Sequence, residues 1–354
     1  MTNSRWLSGM LLTAALVSPL AAAEQKVEDL PLPARPFHIE GVDGARWDVR
    51  MTVRHAPFHG RVFYAVPPDD PCQTIRSVEL YAETAKGRVD AVRVADASPY
   101  KKPLMQLDVD ATAAFTVVAH VVVQIHHTKL AAGPPPEKVK PMLPLARQEY
   151  LDDEWPDEKA RAWFTQWMKT HQLMRGDEDH AAFAFRVLKF MQQHFRYVIP
   201  DKLPDFLAAV KSDPEMGDWH YTLRTCTGEC YRLSDTYCRI MRMNGVPARL
   251  VSGNYINEQD GHHLRSLIYL ADAGWVPVEV TQSLDKLPAL HCFGSWGGPY
   301  LAGNRNINFS LPGPKGPWFM GTLDRLGFAA TDGTWDFPPG EISATMLPKT
   351  ETKQ

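Results

Sequence analysis

The chain lacks a charge excess of either sign, has few cysteines, and carries no long apolar run beyond its N-terminus. Its 354 residues hold 41 Asp+Glu against 38 Lys+Arg, a formal net charge of −3. No polycationic surface follows from that balance, so nucleic acid is not an expected partner. After residue 23 no window approaches the roughly 18 uninterrupted apolar residues of a membrane helix, so no integral membrane segment is expected there. At 44% hydrophobic and 22% charged, the composition leaves out disordered, collagen-like and coiled-coil classes. Metal-ligand spacing is missing as well. Cys226-x3-Cys230 does not fit a zinc knuckle, and the adjacent pairs His126-His127 and His262-His263 would point to opposite faces of a strand. The Gly-rich Gly294-Ser-Trp-Gly-Gly298 lacks the Lys of a phosphate loop and reads instead as a loop near a cleft. No cofactor and no metal is expected.

What the sequence does have begins at residue 1. Arg5 precedes the apolar Trp6 to Val17, and the stretch closes on Ala21-Ala22-Ala23. This reads as a secretory signal peptide over 1–23, which makes the mature protein exported, periplasmic or secreted. Five cysteines in an oxidising compartment leave at least one thiol unpaired. Residues 24–36 are polar and Pro-rich. Short alternating runs follow at Trp47–His55, Arg61–Val66, Ile75–Tyr81, Val89–Val94 and Leu104–Val109. The clearest is Phe115–Ile125, whose odd-numbered residues form one wholly apolar face. Strands at this spacing predict a β-sandwich over 24–130.

The Pro-rich 131–144 ends that pattern and is read as a linker. A second unit is expected over 145–345, followed by a polar tail over 346–354. It opens with two amphipathic helices. One, after Pro156, carries Phe164, Trp167 and Met168 on one stripe; the other, capped by Asp177 or Asp179, carries Phe183, Val187 and Met191. A third helix is predicted over Tyr231–Asn244 with Gly245 at its stop. A β-hairpin follows around Ala271-Asp-Ala-Gly274.

Gly228-Glu229-Cys230 lies immediately before the third helix. A thiol there sits at the positive end of the helix dipole, which favours the thiolate. A thiolate nucleophile needs a proton shuttle for its leaving group, and a His oriented by a carboxylate supplies one. His263 on the first hairpin strand and Glu279 on the second are the candidates. Residues opposed across an antiparallel pair share a face, so these two can meet only if paired residue numbers sum to an even value. That demands a loop of three or five residues, or a bulge at Gly274.

At these residues the chain resembles the bacterial transglutaminase-like superfamily. Its pattern is G-x-C, then Arg at +12 and G-[IV]-P-A-R at +15 to +19, and Gly228-Glu-Cys230, Arg242 and Gly245-Val-Pro-Ala-Arg249 meet every offset. His263 and Gly274-Trp275-Val-Pro-Val-Glu279-Val-Thr281 are similar to its H-x-W…G-W-x-x-[VI]-D-x-T block. The resemblance extends over roughly residues 150 to 310. It implies an α+β papain-like core, the nucleophile on a helix N-terminus packed against an antiparallel sheet. In that core Cys230 is the nucleophile, His263 the general base and acid, and Glu279 stands in place of the usual Asp. Leu264-Arg265 replaces the usual Ala-Trp after the His. Arg242 and Arg249 read as structural.

The function so implied is cleavage or transfer of peptide or protein amide acyl groups through a Cys thioester, with hydrolysis favoured. The alternatives are protein cross-linking and a non-catalytic binding module of the same fold. Cys230 is expected to be the unpaired thiol, with Cys238 buried on the same helix and Cys226–Cys292 the expected disulfide.

Overall fold

Phe115–Ile125 alternates as the sequence requires, and the strand built on it organises the first half of the molecule. The computed structural model describes residues 31–348 except 136, 153–156, 199–216, 258–260, 285–286, 305, 307, 314–315, 321–322 and 324. The segment 1–23 expected as a signal peptide and the last residues of the expected polar tail lie outside the described residues.

Seven strands come first: β1 (Phe37–His55), β2 (Phe58–Ala65), β3 (Gln73–Thr84), β4 (Gly87–Asp90), β5 (Val92–Ala95), β6 (Pro103–Ala111) and β7 (Phe115–Ala132). In β7, Phe115, Val117, Ala119, Val121, Val123 and Ile125 are buried, whereas His120 on the other face bonds Asp48 at 3.0 Å. The segment Val89–Val94, expected as one strand, is two. Ala91 separates β4 from β5, and its N–H bonds Leu80 O while the chain passes from one sheet to the other.

The middle of the chain supplies α1 (Pro144–Leu151), α2 (Glu158–Thr170), α3 (His180–His194), β8 (Arg196–Tyr197), α4 (Gly217–Thr225), β9 (Thr227–Gly228), α5 (Cys230–Met243), β10 (Ala248–Tyr255), β11 (His262–Leu270), β12 (Gly274–Val278) and α6 (Val280–Leu284). Asp157 caps α2 through Ala160 N, and Asp179 caps α3 through Ala181 N and Ala182 N. In α5, Leu233, Tyr237, Ile240 and Met241 are fully buried, and the helix ends where Gly245 adopts φ +78°. β13 (Tyr300–Ala302) completes a four-stranded antiparallel sheet in the order β12-β11-β10-β13.

The C-terminal strands β14 (Phe309–Gly313), β15 (Gly316–Met320), β16 (Gly327–Ala330), β17 (Trp335–Asp336) and β18 (Glu341–Leu347) follow. Of these, β16 pairs with β2 and β18 with β1. The chain thus returns to its own beginning, whereas the sequence groups everything from 145 to 345 together. The result is two five-stranded sheets, β18-β1-β7-β3-β4 and β17-β16-β2-β6-β5. They share one apolar cluster that includes Val49, Val121, Leu80, Val62, Leu107 and Phe328, and the returning strands cover edges that β1 and β2 would otherwise expose. Overall the molecule is mixed α/β and sheet-rich, with six α-helices among the described residues. None of the helices described is long and apolar enough to cross a membrane.

Candidate active site

Cys230 is the first residue of α5, as the position of Gly228 implies, and the glycine serves close packing rather than a left-handed turn. A Cβ on Gly228 would lie 3.0 Å from Arg232 Cβ and 3.4 Å from Thr222 Cγ2, so the glycine permits close packing of the strand against α4 and α5. The positive φ nearby belongs to Cys226, at +51°. Parallel pairing of β8 with β9 holds the approach: Arg196 N bonds Cys226 O and Val198 N bonds Gly228 O. The N-cap residue Glu229 makes no capping bond with its carboxylate, which pairs instead with Arg232 Nη1 at 2.6 Å.

The hairpin carries the other two candidates. Its register runs Ser266↔Val278 to Leu270↔Gly274, every pair summing to an even value, around a three-residue loop of Ala271, Asp272 and Ala273. Gly274, at φ +77°, accepts a conformation that a side chain would strain. His263 and Glu279 therefore lie on one face as diagonal neighbours. His263 Nε2 and Glu279 Oε2 are 2.9 Å apart. β12 ends at Val278, earlier than the expected strand, and Glu279 occupies the joint between β12 and α6. There its N–H donates to Cys292 O and its Oε1 accepts from Thr281 N at 3.0 Å.

Burial by itself would lower the His263 pKa, but the Glu279 carboxylate and a hydrogen bond with the Cys230 side chain outweigh it and push the value up to about 10. Burial would raise Glu279, and the facing imidazolium together with the His263 and Thr281 hydrogen bonds holds it below the ordinary carboxylate range instead. Glu279 occupies Nε2, which leaves Nδ1 of the ring for the thiol. All three candidates thus converge on one imidazole.

Linkage gives these shifts a sign. The raised His263 pKa contributes stability that is fully present below about 6.5 and is lost as pH rises through about 10. The lowered Glu279 pKa contributes stability present above about 4.3 and lost as pH falls through the folded value. Thermal unfolding of wild type and His263→Gln, compared from pH 6 to 11 in steps of about one unit, is expected to show a gap that closes as pH passes 10. A gap independent of pH would remove the charged pair from the account.

The sequence does not single out the aromatic wall beside the ring. Tyr255 lies 5.8 Å and Tyr300 6.3 Å from the His263 ring centroid, and Trp296 stacks on Tyr255. Tyr300 Oη donates to His263 O at 2.8 Å. Trp296 arrives on the Gly-rich 294–298 loop, which a pair of bridging bonds ties to Thr128 of β7. Only the loop's glycines hinted at this, since one aromatic in a loop has no periodicity. His262, on the opposite parity, bonds Ser252 Oγ at 3.0 Å.

Gly253 faces His263 across β10 and β11, and a Cβ there would fall 2.1 Å from Leu301 O and 2.8 Å from the Tyr300 ring. Gly253→Ala is expected to destabilise the protein by about 1–3 kcal/mol through overpacking and to reduce turnover by displacing Tyr300. Chemical denaturation and an activity assay on the same preparation check both.

Arg242 Nε donates to Ala248 O at 3.0 Å, and the Arg249 guanidinium lies 4.2 Å from the Trp275 ring centroid, so both act in packing. Cys226 is a free thiol, so the expected Cys226–Cys292 disulfide is not formed. The Cys226 sulfur turns to Leu223 O at 3.8 Å, while Cys292 is buried in the core shared with α3 and α6. Cys230 is a free thiol, half-buried.

Residues 168–280 match the model of the Transglutaminase-like superfamily. Among solved structures, a Cytophaga hutchinsonii protein described as a "Putative Cysteine Protease" aligns at TM-score 0.51 and 10% identity, over 90% of this chain and 95% of that one. The periplasmic domain of TgpA from Pseudomonas aeruginosa aligns at TM-score 0.33 and 13% identity, over 68% and 88%. A comparison with curated proteins found no match. The matched residues 168–280 span the helix that begins at Cys230, the hairpin and the Glu279 joint, so it is this part of the chain that is similar to the core of the Transglutaminase-like superfamily.

Proposed function

We propose that this protein is an exported cysteine hydrolase that cleaves a peptide or protein amide through a thioester on Cys230. The observation that carries the reading is the His263 ring shared between Glu279 and the Cys230 side chain, at the start of a helix whose N-terminal residue offers no capping carboxylate.

In this reading the Cys230 thiolate adds to the amide carbonyl, and the positive end of α5 favours the charge. The C–N bond then breaks as His263 gives its proton to the departing amine, leaving an acyl-thioester. Water adds to the thioester carbonyl, His263 taking its proton, and the C–S bond breaks to release the acid and the thiolate. Glu279 stabilises the imidazolium at both stages. Hydrolysis is preferred to amine transfer because water is the abundant acceptor outside the cell. Export rests on the 1–23 segment with Arg5, its apolar stretch and Ala21-Ala22-Ala23. The apolar cluster shared by the two five-stranded sheets supports reading residues 24–130 as the larger part of a β-sandwich, with strands of the C-terminal segment as its edges.

The test is mass-spectrometric trapping with a peptide library. Wild type is expected to acquire an acyl adduct on Cys230 and Cys230→Ala none, and iodoacetamide is expected to label Cys230 ahead of an ordinary exposed thiol. No adduct, with labelling no faster than that of an exposed thiol, would give the lead to the binding-module reading.

A further inference from the structure

Arg265 has no solvent exposure at all. It follows His263 by two residues on β11, so both side chains leave the same face of the strand, and it stands where the family's H-x-W pattern has Trp. The hairpin ladder ends at Ser266↔Val278, and Arg265 and Glu279 are the next residues beyond that last pair on the two adjoining segments. Its guanidinium is clasped by aromatic rings, 3.3 Å from the Trp296 centroid and 4.5 Å from that of Tyr300. The Asp70 side chain, also without exposure, approaches it to 3.8 Å, which is an ion pair without a close hydrogen bond.

A fully buried cation is costly unless opposed by charge, and one loose carboxylate opposes it incompletely. Cys72 also adjoins the guanidinium, but burial pushes its thiol up to about 12 despite the cation, so it stays neutral. The remaining anion on that face is Glu279. Each lies within the other's field: Glu279 raises Arg265, and Arg265 joins His263 in lowering Glu279.

We propose that Arg265 is a positioning residue, a buried cation at the same end of the hairpin ladder as Glu279 and anchored by Asp70, Trp296 and Tyr300, that keeps the carboxylate ionised and aimed at His263. The chain Asp70–Arg265–Glu279–His263 alternates in charge and ends at the ring that Cys230 shares. The inference rests on the hydrolase reading for its catalytic consequence, but not for its electrostatic one. The charged and titratable groups facing this chain are Cys230 on α5, Cys72 on the turn that also carries Asp70, and Tyr300 on β13. Arg265 also explains why the wall beside the imidazole can do without the family's Trp: Trp296 provides the aromatic surface from another loop.

The test uses the full chain with 13C-labelled Glu carboxyls, the Glu279 resonance being assigned by its loss in Glu279→Gln. In Arg265→Met the Glu279 titration midpoint is expected to rise by about one pH unit, a tenfold weaker hold on the anion. Arg265→Lys is expected to restore most of the shift. Asp70→Asn/Arg265→Met leaves no unpaired buried carboxylate at residue 70, keeps the experiment interpretable if the single variant does not fold, and is expected to move the midpoint in the same direction. With a cleaved library peptide as substrate, kcat should fall while KM holds. An unchanged Glu279 midpoint in a folded Met variant would overturn the proposal, as would a loss of activity matched only by a loss of folded protein. If wild type turns over no peptide, the hydrolase reading fails alone, and the carboxyl titration still decides the role of Arg265.

Discussion

Cys230→Ser is expected to lose at least about 10³-fold in turnover while keeping its fold. The sulfur is half-buried at the start of α5, and oxygen for sulfur barely changes the volume there, so the packing of Leu233, Tyr237 and Ile240 below it should be untouched. What changes is nucleophilicity. A serine hydroxyl holds its proton far more tightly than a thiol, and in the proposed mechanism the His263 ring paired with Glu279 partners a thiolate and would have to strip an alcohol instead. The measurement is kcat/KM on a peptide that acylates the wild type, with thermal unfolding alongside. Wild-type turnover by the serine variant would remove Cys230 from the chemistry.

Glu279→Gln should cost about 10²- to 10³-fold, less than removing the thiol, and the geometry supplies the reason. Thr281 N–H donates to Oε1, so in the variant that contact selects the amide oxygen and turns the NH2 group toward His263. Nε2 would then have to accept a hydrogen bond, the ring proton would move to Nδ1, and the nitrogen facing the thiol could no longer take a proton. The lost carboxylate also ceases to stabilise the imidazolium, so the limb of the pH profile that reports His263 should move down from about 10. The pH dependence of kcat/KM in both proteins checks this. Wild-type activity in Glu279→Gln would show that Glu279 plays no part.

Both results depend on a joint between secondary structures that is only partly legible in the sequence. The alternation of β7, the stripe on α5 and the Asp179 cap can be read from residue spacing, because each is a local pattern repeated several times. The parity of the hairpin is legible too: if His263 and Glu279 are to meet, an even register follows from strand geometry, and a three-residue loop provides it. Each of these is decided by a residue's near neighbours along the chain.

Other features arise where distant segments meet, and sequence carries little trace of them. Val89–Val94 divides between two sheets because Ala91 bonds to Leu80, a partner set by β3 rather than by the segment's own alternation. The pairing of β16 with β2 and β18 with β1 follows from exposed strand edges more than 200 residues away, and no local periodicity records it. Cys226 and Cys292 look suited to a disulfide because both flank the cleft in sequence, but one thiol turns to a nearby carbonyl and the other is buried in the core. Arg265 is the sharpest instance. As a sequence it is one departure from a pattern. Only the tertiary structure brings Asp70, Trp296 and Tyr300 around it and sets it within the field of Glu279, because burying a cation requires partners from whichever segments the fold delivers. By itself, then, the sequence determined the local elements and the three residues that converge on the imidazole. The tertiary structure decided which sheets they join and which charges stand behind them, since long-range pairing and electrostatics depend on distances through space rather than along the chain.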